Sequence, residues 1–138
     1  FAVGGKVSGL EIDVEDTASV LMECLDEGKV LPVSLCLDYM QSPPHRSCTI
    51  VGEEGRIVLD FYDTKSVSLE NKSTGKTETH SFGDLELNQM FLDELSHFLA
   101  AVKGEGSPLV DLRSGYDSLQ MAFAARTSLE TGEVQTLK

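Results

Sequence analysis

Apolar and polar positions alternate from Glu15 to Asp60, and helical spacing takes over after Glu86. Ala18, Val20, Met22 and Cys24 fall on one side of an extended chain, with Thr17, Ser19, Leu21, Glu23 and Leu25 on the other. In the next run Leu31, Val33, Leu35, Leu37 and Tyr39 share a face, opposite Val30, Pro32, Ser34, Cys36 and Asp38. In a third, Cys48 and Ile50 oppose Thr49 and Val51. Three turn signals separate the runs: Asp26-Glu27-Gly28, Ser42-Pro43-Pro44 and Gly52-Glu53-Glu54-Gly55. The pattern predicts four strands, with Gly28 taking a positive φ in the first hairpin turn. One face is strongly apolar. The other is small and mixed but not highly charged, which does not suit a sheet facing plain water. Helices are expected on the first face, and a further body, such as another copy of the same sheet, on the second.

The rest of the chain covers this stretch. Ala2 to Leu10 reads as a weak strand loosened by Gly4, Gly5 and Gly9. Arg56 to Phe61, Ser66 to Glu70 and Lys76 to Phe82 read as strands, and the last pair is polar enough for a sheet edge. From Glu86 to Lys103, Leu87, Met90, Phe91, Leu95, Phe98, Leu99 and Val102 recur at helical spacing. Gly104 to Pro108 stops that helix. A second runs from about Asp111 to Thr131, with Gly132 as its C-cap. Val134 to Leu137 is expected to return as a short final strand. The fold class is α+β: a mainly antiparallel open β-sheet with two C-terminal helices packed on one face, the other face left for oligomerisation.

Length suits one domain over residues 1–138, with apolar residues enough for an aliphatic core. The net charge of -12 argues against nucleic acid and anionic membrane surfaces as partners. No apolar run is long enough to span a bilayer, and Phe1 to Gly5 lacks the basic start of a signal peptide. The chain begins at Phe, in what reads as the middle of a strand, and is expected to be a fragment or cleaved product. Cys24, Cys36 and Cys48 cannot all pair and form no CxxC. They read as small buried residues in a reducing compartment, and a cytoplasmic location is expected.

Specific catalytic motifs are missing. There is no GxGxxG after a strand, no Walker loop, no GxSxG and no HExxH. Glu11, Asp13, Glu15 and Asp16 read as solvated surface rather than a metal site. No nucleophile–base pair supports a hydrolase. Of the three histidines, His80 has nothing to recommend it and His97 borders an apolar helix stripe. His45 is the best candidate, because Arg46, Tyr39 and Gln41 are close in sequence. The two prolines before it make the segment stiff, either as a kinked edge or as a loop projected toward a ligand. Arg46 can hold a carboxylate or phosphate, or pair with a local acid.

The ordered set of residues resembles the C-terminal sheet domain of the Gfo/Idh/MocA oxidoreductases (glucose-fructose oxidoreductase, inositol dehydrogenase and rhizopine-catabolism dehydrogenases). The resemblance rests on Glu15-Asp16-Thr17-Ala18, Gly28, Leu37-Asp38-Tyr39, Gln41, Pro44 and Ile50-Val51-Gly52-Glu53-Glu54-Gly55. It continues through Phe91, Leu95, Phe98, Pro108-Leu109-Val110, Gly115, Ala122, Ala125, Ser128 and Gly132. It implies a partner Rossmann domain that binds NAD or NADP. It further implies a substrate that is a sugar, sugar nucleotide or cyclitol, and dimers or tetramers built on the open sheet face. The family's Glu-Lys-Pro lysine and its His or Asp acid-base partner map to no position here and are expected upstream of Phe1. No catalytic, cofactor-binding or metal residue is therefore assigned. The expected substrate contacts are Tyr39, Gln41, His45 and Arg46. The 138 residues alone are expected to be inactive. The alternative is a stand-alone, non-catalytic binding or assembly module with the same sheet.

Overall fold

A computed structural model describes residues 1–84 and 86–137, without the side chain of Leu87. The element order is β1 (Ala2–Gly5), β2 (Thr17–Asp26), β3 (Lys29–Asp38), β4 (Ser47–Val51), β5 (Gly55–Asp60), β6 (Ser66–Asn71), β7 (Thr77–Ser81), α1 (Leu87–Val102) and α2 (Leu112–Thr131). The class is α+β, as the periodicity predicts, and every strand pair is antiparallel. The strands form two sheets rather than one, ordered β1-β2-β3 and β4-β5-β6-β7. The change of sheet falls at Ser42-Pro43-Pro44, where two missing N–H groups cannot extend a ladder. The chain divides into two compact units, Phe1–Met40 with Ser107–Lys138, and Gln41–Gly106. Each unit thus holds one sheet and one helix.

The first unit is ordered by which strand edges carry free donors. Glu27 (φ 47) and Gly28 (φ 81) close the β2–β3 hairpin, and two consecutive positive φ values match the right-handed twist of the strands. Tyr39 N–H donates to Asp16 O at 2.9 Å, so Asp16 and Tyr39 are a hydrogen-bonded pair. Pairs alternate along the ladder, which makes Glu23 opposite Pro32 a non-hydrogen-bonded pair. Pro32 therefore costs no bond to β2. It instead removes a donor from the outer edge of β3 and blunts that edge against stray pairing.

At the opposite edge Phe1 exchanges two bonds with Leu21, at 2.9 and 3.0 Å, which turns the N–H of Ala2 outward. There the Ser128 hydroxyl accepts it at 2.9 Å and donates its own proton to Glu133 O at 2.7 Å. Helix α2 packs on β1 through this contact. Its N-cap Asp111 accepts from Ser114 N–H, and Gly132 ends it at φ 70, as predicted.

The core is smaller than the apolar pattern predicts. Among the described residues only Ala2 and Val20, which face each other across β1 and β2, are buried apolar side chains. Helix α2 follows β1 at the sheet's edge, so Leu31, Val33, Leu35 and Leu37 of β3 stay open.

Three further expectations change. Val134 to Leu137 forms no strand, because the preceding carbonyl of Glu133 is taken by Ser128 instead of a ladder. The cysteines are free thiols, but Cys36 and Cys48 are exposed and Cys24 is half-buried. Cys36 lies on the face of β3 turned away from Val20, and Cys48 on the outer strand of its sheet. The acidic run is also not uniformly solvated. Asp16 is 2 % exposed, and its carboxylate accepts from Val7 N–H (2.8 Å), Ser8 N–H (2.9 Å) and the Ser8 hydroxyl, with Lys6 Nζ at 3.4 Å. It closes the loop between β1 and β2.

In the second unit, β4 to β7 form a meander. Gly52 N–H donates to Gly55 O at 2.8 Å and closes the expected β4–β5 hairpin. Arg56 and Glu70 pair across β5 and β6 through two bonds of 2.7 and 3.0 Å. Strand β7 is the polar edge, as predicted. Helix α1 has the expected bounds, but Phe91, Leu95 and Phe98 are more than half exposed, so its apolar stripe is not packed on the sheet of its own unit.

Two outcomes follow from the first unit. Ser128→Ala should lower stability by about 1–3 kcal/mol, because it leaves the Ala2 N–H buried without an acceptor. Thermal denaturation of the variant measures this, and an unchanged midpoint refutes it. The Ser8 hydroxyl and then the Val7 N–H hold the Asp16 carboxyl well below the usual carboxylate range, against the opposing effect of burial. A depressed folded value means that the stabilisation is complete above the ordinary 3.8 and fades as pH falls below it. Asp16→Asn should therefore lower the melting temperature near neutral pH and flatten its fall below about pH 4, measured by melting curves across that range.

Candidate functional site

The four residues expected to meet substrate fall into two groups. Tyr39 directly follows β3 in the first unit and is 71 % exposed. It stands at the rim of a cleft of about 550 Å³ between the Val20 face of the sheet and α2. Met22 and Leu37 line the sheet side of the cleft, and Met121, Ala122 and Leu129 the helix side. Arg126, held by Glu130 at 3.2 Å, and Asp38 add charge at the rim. Ala125, a small residue of α2, lines the same space.

Gln41, His45 and Arg46 belong to the second unit. His45 is locked between two partners. Its Nδ1 lies 3.2 Å from Asp63 Oδ2, and its Nε2 lies 2.9 Å from Ser47 Oγ. Asp63 is itself set by a tight turn. Asp60 ends β5, and its carboxylate accepts from the N–H groups of Tyr62, Asp63 and Thr64 at 3.2, 3.0 and 3.3 Å. Desolvation pushes the Asp60 carboxyl up, but those donors, Asp63 first, together hold it below its ordinary value. A charged acceptor therefore fixes the turn that aims Asp63 at His45.

Arg46 goes elsewhere. Phe61 N–H donates to Arg46 O at 2.9 Å, and the Arg46 guanidinium lies 5.5 Å from the centre of the Phe61 ring. Phe61 also meets Phe82, ring to ring, at 5.8 Å. Arg46 and Ser47 are consecutive in an extended segment, so their side chains leave opposite faces. The structure joins His45 to Ser47 and Asp63 and keeps Arg46 apart from them.

Sequence reading missed both partners of His45. Ser47, two residues on, carries a local signal, since positions i and i+2 of an extended chain share a face. Asp63 carries none, because its approach depends on the β4–β5 register. A hydroxyl, an imidazole and a carboxylate thus stand in order. His80 and His97 are exposed on β7 and α1. Among the described residues no group of three or more His, Cys, Asp or Glu stands at metal-binding range.

Among the described residues, neither helix start suits the pyrophosphate of a dinucleotide. Pyrophosphate binding uses a glycine-rich turn from a strand into a helix N-terminus. Here β7 is followed by Phe82-Gly83-Asp84, and Glu86 stands at the N-cap of α1. Helix α2 starts at Asp111. Both helix starts present a carboxylate where phosphate charge would have to sit. Among the described residues no helix is long and apolar enough to cross a membrane.

Compared with known proteins, residues 4–137 match the family described as the oxidoreductase family, C-terminal alpha/beta domain. No curated protein and no solved structure matches the chain significantly. The match runs through both sheets and both helices, and on that extent the chain belongs to the C-terminal alpha/beta domain family of the Gfo/Idh/MocA oxidoreductases.

Proposed function

We propose that residues 1–138 act as one domain, the substrate-side and oligomerisation domain of an NAD(P)-dependent oxidoreductase. The complete enzyme transfers a hydride to or from a sugar, sugar nucleotide or cyclitol in the cytoplasm. The observation that carries this reading is the family match over residues 4–137, which runs without a break through both compact units. NAD or NADP is held outside these residues, because the two helix N-termini here carry acids in place of a phosphate cradle. The catalytic acid-base group is supplied with it. The chain contributes a wall.

Tyr39, Gln41, His45 and Arg46 are the proposed substrate contacts. They bracket the Pro-Pro segment, and they suit a polyhydroxylated ligand. A phenol, an amide and an imidazole exchange hydrogen bonds with hydroxyls, and a guanidinium adds affinity for a phosphate or carboxylate substituent. The oligomer is proposed to form on the outer face of the three-stranded sheet. Leu21, Leu25 and Val30 of that face are more than half exposed, around a shallow hollow lined by Phe1, Val3 and Cys36.

The test is hydride transfer by the complete gene product. With NAD or NADP and a panel of sugars, sugar nucleotides and cyclitols, absorbance of the reduced nicotinamide should report turnover on one of these classes. His45→Ala and Arg46→Ala should each raise KM about tenfold, the loss of one good polar contact. Residues 1–138 by themselves should give no turnover and should scatter light as a dimer or larger. No cofactor-dependent activity from the complete protein overturns the enzyme reading, and a monomer at high concentration overturns the interface.

A further inference from the structure

We infer that Ser47, His45 and Asp63 form an acyl-transfer site, with Ser47 as nucleophile, His45 as its base and Asp63 as the residue that positions the imidazole. This goes beyond the oxidoreductase reading and does not depend on it. Three observations carry it.

The first is order. The carboxylate lies on Nδ1 at 3.2 Å and the hydroxyl on Nε2 at 2.9 Å. With Nδ1–H donated to Asp63, the neutral imidazole has its lone pair on Nε2, facing Ser47 Oγ. This is the arrangement by which a weak hydroxyl nucleophile is activated on unrelated folds. The second is support. The Asp63 backbone is held by Asp60, whose carboxylate accepts three consecutive N–H groups. The third is access. Arg46 and Phe61 are a hydrogen-bonded pair, so Ser47 opposite Asp60 is a non-hydrogen-bonded pair. Strand β4 is the outer strand of its sheet, and the N–H of Ser47 therefore points off the edge rather than into the ladder. A nucleophile's own N–H is a donor to the oxygen that gains negative charge when a carbonyl is attacked.

The substrate class is a small, unhindered carboxylic ester, since the site lies on an open strand edge with all three side chains exposed. As Ser47 Oγ bonds to the acyl carbon, its proton passes to His45 Nε2. The ester C–O bond then breaks, and the same proton leaves with the alcohol. Water repeats the sequence, giving its proton to His45, releasing the carboxylic acid and restoring Ser47. No oxidant or further reactant is needed.

The probe is p-nitrophenyl acetate with the complete protein, followed by p-nitrophenolate release and by peptide mass spectrometry of the quenched adduct. The expected result is an acetyl group on Ser47. Its rate of formation should fall by about 10²-fold in His45→Ala, the lower end of what a placed base supplies, because the site is open to water. Asp63→Asn should slow it about tenfold and Asp63→Glu should restore most of the loss, which a purely structural role for Asp63 would not do. All three side chains are exposed, so the variants should keep the far-ultraviolet spectrum of the parent. Acetylation spread over lysines and other serines, or an equal rate at Ser47 in His45→Ala, overturns the inference. Absence of any adduct on Ser47 in the parent protein does the same.

Discussion

One hydroxyl, that of Ser128, ties the two ends of the first unit together. It accepts the N–H of Ala2 and donates to the carbonyl of Glu133, so both of its capacities are used while it is only 1 % exposed. Much else depends on it. Strand β1 is short and carries glycine at Gly4 and Gly5, so its own ladder to β2 is weak. Fixing its outward donor to α2 keeps Ala2 against Val20, the one place among the described residues where apolar side chains are buried. The same bond joins α2, which lines the cleft beside Tyr39, to the edge of the sheet. It also draws the chain after Gly132 away from any strand.

The two edges of that sheet are treated differently for one physical reason. An edge strand offers every second N–H and C=O to whatever passes. At β1 the offered donor is used internally, by a helix. At β3 one donor is deleted, since Pro32 occupies an outward-facing position of the ladder. Each edge is thereby blunted at one position, while the outer face of the sheet remains open. The proposed assembly through this face is of the kind in which sheets pack face to face.

How much of this was legible in the sequence follows the range of each interaction. Turn chemistry is local, so Asp26-Glu27-Gly28 and Gly52 to Gly55 announce their hairpins, and Asp111 and Gly132 announce the ends of α2. Face assignment is nearly as local: Ala18, Val20 and Met22 do share a face with Leu35 and Leu37. What periodicity does not carry is the partner across that face. It predicted one sheet with two helices upon it, and the strands divide into two sheets, one helix to each unit. Nor does composition say which acid in a run finds donors. Asp16 looks like its neighbours Glu11, Asp13 and Glu15, and is buried only because Val7 and Ser8 turn their N–H groups toward it. The His45 site divides on the same line. Ser47 stands at an adjacent same-face position, whereas Asp63 is brought there by the hairpin between β4 and β5.

The two proposals meet at one histidine, placed by that hairpin. A wall that binds polyols needs an imidazole with a fixed tautomer, so that each ring nitrogen offers one known role to a hydroxyl. Asp63 supplies the fixing on Nδ1, and a substrate hydroxyl arriving at Nε2 would meet the lone pair now occupied by Ser47. On the proposed substrate reading, Ser47 holds the place of the ligand hydroxyl at Nε2, and it is short enough to give way. The same placement that prepares an imidazole to accept a substrate proton prepares it to accept the proton of Ser47. The difference lies in what approaches: a hydroxyl that displaces the serine is bound, and a carbonyl that reaches it is attacked.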